Sequence, residues 1–185
     1  MGKIVDVLPV KLLFSIFTGK KEYFTFTLEK IEDIFGETEV FSDDFLFNHT
    51  TYYEAEFGKK LYRKFIVLKP LYKRDGIAKS KILTNEMEES FSKNGQRIVN
   101  IDPGYLTLEN FILFTTKNYT HRIYLENGIF ADLTLIFQNK KFNSLPWTYP
   151  DYASDEIKNF LREIRKIYAN QIKSSKEISD AKKIV

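Results

Sequence analysis

The chain reads as an α+β protein: a mostly antiparallel sheet with a ferredoxin-like β-α-β-β-α-β core, an added C-terminal β-hairpin and a C-terminal helix. Three observations predict this. Short apolar runs alternate with stretches of helical period in the order strand, helix, strand, strand, helix, strand. Asn127-Gly128 stands between two apolar arms, which is the sequence signal of a tight hairpin. Of the 185 residues 43% are apolar, with 17 Phe and 11 Tyr among them, enough for one continuous core built on large rings.

Each element has its own warrant. Residues 11–17, a compact apolar run closed by Thr18-Gly19, have the length and flanks of a buried strand. Between Glu22 and Phe35 the period changes: Phe24, Leu28, Ile31 and Phe35 recur every three or four residues, and Gly36 stands at the C-cap of that helix. Residues 39–47 read as a second strand, interrupted at Ser42-Asp43-Asp44. The segment 49–61 fits helix or loop equally. Residues 63–69 make a third strand, which Pro70 is expected to stop. Asp75 can cap a second helix running through Leu83, Met87 and Phe91 and ended by Asn94-Gly95. Residues 97–101 form a fourth strand that enters Pro103-Gly104, the central pair of a type II turn with Gly104 at positive φ. Residues 107–116 fit a strand or a short helix. The hairpin of residues 122–125 and 129–137 follows, closed by Asn139-Lys140-Lys141. Residues 145–150 hold two prolines and read as an extended aromatic strap. Ser154 caps a last helix whose Ile157, Phe160, Leu161, Ile164, Ile167, Tyr168 and Ile172 form one stripe. Residues 1–173 are read as a single α+β domain and 174–185 as a polar, fraying tail.

Composition removes several classes of function. The 28 basic and 25 acidic residues give a net charge of +3, too even for a nucleic-acid binder, so nucleic acid is not an expected partner. There is no cysteine, which excludes disulfides, iron–sulfur clusters and thiol nucleophiles. No apolar run is long enough to span a bilayer, and Asp6, Pro9 and Lys11 interrupt any signal-peptide core. The expectation is a small cytoplasmic protein without a membrane partner.

Motif tests are mostly negative. A phosphate-binding P-loop needs Gly, four residues, then Gly-Lys-Ser/Thr. Gly19-Lys20-Lys21 has Phe14 at the first glycine and Lys21 at the hydroxyl position. A guanine-reading Asn/Thr-Lys-x-Asp would end in a carboxylate, but Thr116-Lys117-Asn118 leads to Tyr119. With only His49 and His121, a zinc site would have to be filled by carboxylates, so no metal is assigned. Asp43, Asp44, Asp102 and Asp132 are read as solvated surface acids rather than magnesium ligands. If Asn127-Gly128 is the centre of the hairpin, Ile123 faces Asp132 and His121 faces Thr134. His121 and Asp132 are then diagonal neighbours on one sheet face, an arrangement that fixes a tautomer for a general base. In the same register Arg122 falls on the other face, beside Ala131 and Leu133.

Several strings carry a family resemblance: Asn100-Ile101-Asp102-Pro103-Gly104-Tyr105, Thr115-Thr116-Lys117-Asn118, His121-Arg122-Ile123-Tyr124-Leu125 and Pro146-Trp147-Thr148-Tyr149-Pro150-Asp151-Tyr152. With Pro9-Val10-Lys11-Leu12, Tyr52-Tyr53-Glu54 and Thr84-Asn85-Glu86, they resemble the bacterial and archaeal family called domain of unknown function 4416, over residues 9–168. The resemblance implies a stand-alone protein of about this size. Some members carry a GTP-binding label, which the P-loop and guanine tests do not support. It implies no established activity and supplies no catalytic residues to carry over, and the cofactor is left unknown.

The strings coincide with the polar positions already singled out. The expectation is therefore a pocket for a small anionic ligand, such as a nucleotide or phosphate ester, in which Asp102, Tyr105, Lys117 and His121 converge. His121, aligned by Asp132, and Asp102 would handle protons; Lys117, Arg122, Tyr105 and Asn118 would bind the ligand. The alternative is a non-catalytic interaction module that uses Tyr52, Tyr53, Trp147, Tyr149 and Tyr152 as an aromatic surface. RNA stacking on the sheet ranks third.

Overall fold

The computed structural model describes residues 2–47, 54–58 and 60–181. The elements in chain order are β1 (Val10–Thr18), α1 (Glu22–Phe35), β2 (Thr38–Phe41), β3 (Phe45–Phe47), α2 (Glu54–Phe57) and β4 (Leu61–Tyr72). There follow α3 (Lys79–Phe91), β5 (Val99–Leu106), β6 (Asn110–Thr115), β7 (Arg122–Glu126), β8 (Ile129–Gln138), β9 (Lys141–Ser144) and α4 (Asp155–Ala181). The strands form one nine-stranded sheet in the order β2-β4-β1-β5-β6-β8-β7, with β3 beside β4 and β9 beside β8. Every strand pairing is antiparallel.

β1 explains the layering. It lies between β4 and β5, and all of its residues are buried. Alternation sends Leu12, Phe14 and Ile16 to one face, where they meet Phe24 and Ile31 of α1 and Met87 of α3. Leu13 goes to the other face, into a core with Phe65, Val67, Leu106, Phe111 and Leu135. The stripe of α4, Ile157, Leu161, Ile164, Tyr168 and Ile172, covers that second face. Its docking carries polar anchors: Tyr168 donates to the Pro9 carbonyl at 2.7 Å, and buried Lys11 donates to Gln171 at 3.0 Å and pairs with Glu39. Helices therefore cover both faces of the sheet.

Local chemistry sets the boundaries. Gly36, at φ 98°, closes α1 with its N–H on the Glu32 carbonyl, and the Ser154 hydroxyl accepts the Ile157 N–H at the start of α4. Ser42-Asp43-Asp44 does break the second strand, leaving β2 and β3. Three expectations are corrected. β4 runs through Pro70, which sits at a register irregularity opposite 11–13, a place in a sheet that tolerates proline. α3 begins after Ala78 without a side-chain cap, so Asp75 does not cap it. Pro103-Gly104 is not a turn but lies inside β5, and Gly104 is absent from the positive-φ glycines.

Gly104 is required for another reason: a Cβ there would stand 2.5 Å from the Ile112 carbonyl oxygen and 3.0 Å from Leu113. Gly104→Ala should destabilise the protein by about 1–3 kcal/mol by forcing β5 and β6 apart. Leu161→Ala, at a fully buried position of α4, should cost about 2–5 kcal/mol. Denaturant titration of both variants checks these values, and a Gly104→Ala variant as stable as the parent would contradict the close approach.

Candidate functional site

The polar centre of the molecule grows from an interruption in the sheet. Pairing of β5 with β6 begins only at Gly104↔Leu113. The next residue along β5, Pro103, has no N–H to continue that ladder. Residues 99–103 therefore lack a strand neighbour on that side, although they stay paired with β1 on the other. α3 supplies the missing partners. Glu88 accepts the Ile101 N–H at 2.7 Å, and Lys81 Nζ donates to the Ile101 carbonyl at 2.9 Å. Both side chains are buried.

These two charges draw in others. Lys81 Nζ lies 3.1 Å from Asp102 Oδ1, and Asn100 Nδ2 donates to Asp102 Oδ2 at 2.6 Å. Arg97 donates to Asn100 Oδ1 at 2.9 Å, contacts Glu88 at 3.2 Å and binds both oxygens of Glu56 at 2.7 and 2.8 Å. On the α4 face, buried Arg63 pairs with Asp151 and lies over the Tyr152 ring at 4.7 Å. Burial pushes the Tyr152 hydroxyl up, so it stays protonated. Burial likewise pushes the Glu88 carboxyl above its usual range, against the pull of Lys81 and Arg97.

Arg97 also opens onto solvent. It lines a cavity of about 270 Å³ with Gly19, Lys20, Glu56, Phe57, Lys93 and Asn94. The turn after β1 and α2 meet here so closely that a Cβ on Gly19 would lie 2.2 Å from the Phe57 carbonyl oxygen. Lys93 and Gln96 exchange backbone hydrogen bonds across Asn94-Gly95, both at positive φ, so this Asn-Gly makes a tight turn after α3 ends at Phe91. Lys20 and Lys93 are exposed and form no ion pair with a described residue.

A second cluster lies at β7 and β8. The Asn127-Gly128 turn forms with both residues at positive φ, but a bulge between Tyr124 and Glu126 slips the register by one. Arg122, not Ile123, therefore faces Asp132, and Arg122 Nε donates to Asp132 Oδ2 at 2.9 Å. The other guanidinium nitrogens reach the Lys117 carbonyl at 3.0 Å and the Tyr149 hydroxyl at 2.6 Å. His121 Nε2 is 3.2 Å from Asp132 Oδ2, and its ring is stacked on Trp147 at 4.9 Å. The pairing of His121 with Asp132 stands, and Arg122 joins it rather than lying apart.

The structure does not bring the expected residues into one pocket. Asp102 and Tyr105 differ by an odd number along β5 and project to opposite faces. Asp102 joins Lys81, and Tyr105 packs against Phe114 with Ala78 and Ile129 nearby. His121 is separated from β5 by β6 and β8. Lys117 and Asn118 are exposed in the segment before β7. Lys81, Glu88, Arg97, Arg63 and Asp151 were missed. The readable signal was Lys81, Thr84 and Glu88 at i, i+3 and i+7, a polar stripe on the inward side of a helix. Among the described residues no group of three or more His, Asp or Glu could hold a metal ion, and no helix is long and apolar enough to cross a membrane.

Fold and site together define an α+β sheet protein with helices on both faces and an ion cluster at an interrupted strand edge. The chain belongs to the family described as domain of unknown function (DUF4416), whose model matches residues 8–168. No curated protein and no solved structure matched the chain.

Because folded Glu88 takes up its proton at a higher pH than in the unfolded chain, the folded state binds more protons between the two pKa values. Stability from this group is then present below the unfolded value and lost as pH rises through the folded one. Glu88→Gln keeps an oxygen for the Ile101 N–H and removes the charge. The melting temperature of Glu88→Gln relative to the parent should rise as pH increases from about 4, the ordinary Glu range, towards neutrality. A difference that is flat or falls with pH would contradict the buried-charge account.

Proposed function

We propose that the protein binds a small anionic ligand, a phosphate ester or the phosphate end of a nucleotide, in the cleft beside Arg97. One observation carries the reading. Lys20, Lys93 and Arg97 converge on one small cavity, and its carboxylate, Glu56, is already held by Arg97 through both oxygens. The cleft therefore keeps a positive excess, from Lys20 and Lys93. At about 270 Å³ it suits a phosphate or pyrophosphate group better than a whole nucleotide. Lysines serve as point charges for such groups, and the bound state would lower their mutual repulsion. The sequence-based expectation of an anionic ligand is kept, and the bulk of its charge recognition moves from Lys117 to this cleft.

We read β1, α1, β2, β4, α3 and β5 as the ferredoxin-like unit expected from the sequence. The order β2-β4-β1-β5 and the common face of α1 and α3 support that reading. The alternative, an aromatic interaction surface, loses Tyr152, which is buried, while Tyr52 and Tyr53 lie outside the described residues. Exposed Tyr119, Trp147 and Tyr149 still favour a surface at the β7 end of the sheet.

Thermal shift against inorganic phosphate, pyrophosphate and nucleoside triphosphates tests the anion site. A ligand at about 100 times its Kd adds about 2.7 kcal/mol to folding, so a shift of several degrees is expected with at least one of them. Lys20→Glu and Lys93→Glu should each abolish the shift with the unliganded melting temperature nearly unchanged, and Lys117→Ala should retain it. A shift that survives both charge reversals, or none with any of these anions, would overturn the reading.

A further inference from the structure

Glu56 sits in the anion cleft as an anion of the protein's own. Its Oε1 accepts from Arg97 Nε at 2.7 Å and its Oε2 from Arg97 Nη2 at 2.8 Å, and both side chains are only half-buried. That is the two-pronged seat a guanidinium offers to a carboxylate and to a phosphate alike. The rest of Arg97 is turned inward, since Nη1 reaches Asn100 at 2.9 Å and Glu88 at 3.2 Å. An anion entering the cleft therefore meets an Arg97 fork that is already occupied. Among the described residues Glu56 pairs with Arg97 alone, so its carboxylate engages neither Lys20 nor Lys93. Arg97 holds the Glu56 carboxyl below its usual range, which keeps it charged at neutral pH. Nor does α2 depend on Glu56 for its place. Phe57 packs against Phe17 and Leu61, and the Arg97 guanidinium lies over its ring at 5.4 Å.

We infer that Glu56 is a built-in competitor for the cleft, so that the group admitted is a dianionic phosphomonoester or terminal phosphate and not a phosphodiester or a carboxylate. This rests on the anion-binding reading above and narrows its ligand class. A carboxylate or a diester carries one negative charge and two free oxygens, as Glu56 does. Exchanging it for Glu56 gains nothing at Arg97, and Glu56 competes as a tethered group at an effective concentration on the order of millimolar. A monoester brings a second charge and a third oxygen. Two oxygens can take the Arg97 fork while the third is left for Lys20 or Lys93, the cations that Glu56 does not engage. The lysines thus supply the difference between the anion admitted and the anion refused. A competitor inside the site raises the threshold for every anion, and only those that bridge Arg97 and a lysine rise above it.

Calorimetric titration of the full chain with methyl phosphate, dimethyl phosphate and acetate tests this, at about pH 8, well above the second phosphate pKa of about 6. The parent should bind methyl phosphate about tenfold or more tighter than dimethyl phosphate or acetate. Two variants separate occupancy of the fork from charge. Glu56→Gln removes the charge and keeps one acceptor for Arg97, whereas Glu56→Asp keeps the charge and draws the carboxylate back by one methylene. Both should bind methyl phosphate about tenfold tighter than the parent, with melting temperatures close to the parent's. A gain in Glu56→Gln without one in Glu56→Asp would show that Glu56 acts through charge alone and would overturn the proposal. Unchanged or weaker binding in both variants would overturn it too, as would a parent that takes dimethyl phosphate as well as methyl phosphate. In each of those cases the cleft still binds an anion. No binding of methyl phosphate by the parent or by either variant would instead remove the anion site itself.

Discussion

Pro103 has no N–H to give to β6, and much of this molecule is arranged around that deficit. A ladder that stops at Gly104 leaves the outward N–H and C=O of Ile101 inside the protein, where each unsatisfied group would cost about 1–3 kcal/mol. No apolar side chain can answer both groups. A carboxylate and an ammonium two turns apart on one face of a helix can, and Glu88 and Lys81 do. Burying two charges is itself costly by several kcal/mol per ion unless each is paired. Hence the further partners: Asp102, itself bound by Asn100, for Lys81, and Arg97 for Glu88. The network is thus a consequence of one missing donor more than a source of net stability. Its outermost member, Arg97, is what the cleft presents to solvent.

The same strand divides the chemistry of the protein. Even-numbered residues of β5 face α4 and odd-numbered ones face α3, so Asp102 and Tyr105 belong to different sides despite being three residues apart. Arg63, Asp151 and Tyr152 extend the polar region under α4, and Lys11 ties β1 to the same helix. On the far side of β6 and β8, the Arg122–Asp132–His121 group is a self-contained cluster. Its guanidinium is spent on Asp132, Lys117 and Tyr149, and its imidazole on Trp147 and Asp132. It fastens the strap of residues 145–150 onto β8, where the Trp147 indole donates to the Leu133 carbonyl at 2.8 Å.

How much of this could be read from the chain varied with the physics involved. α1 and the stripe of α4 were legible because apolar period and caps agree there, and β1 because a strand buried on both faces is apolar throughout. The hairpin turn was legible but its register was not, since the bulge at Leu125 has no sequence signal of its own. Gly104 was misread because glycine serves close approach as well as positive φ, and only the neighbouring strand distinguishes the two. β9 was missed because its turn, Asn139-Lys140, takes positive φ at both residues without a glycine. The site was half legible. Asp102 was singled out, but Lys81 and Glu88 were not, because only the strand edge that they seal gives them a role.

The central claim is that Glu88 and Lys81 replace a missing strand along β5, and hydrogen exchange at one amide tests it most directly. The Ile101 N–H should be protected to the level of the β1 amides in the parent protein. In Glu88→Ala it should exchange far faster while the β1 amides keep their protection. An Ile101 amide that exchanges like a surface group in the parent, or one whose protection does not depend on Glu88, would contradict the account.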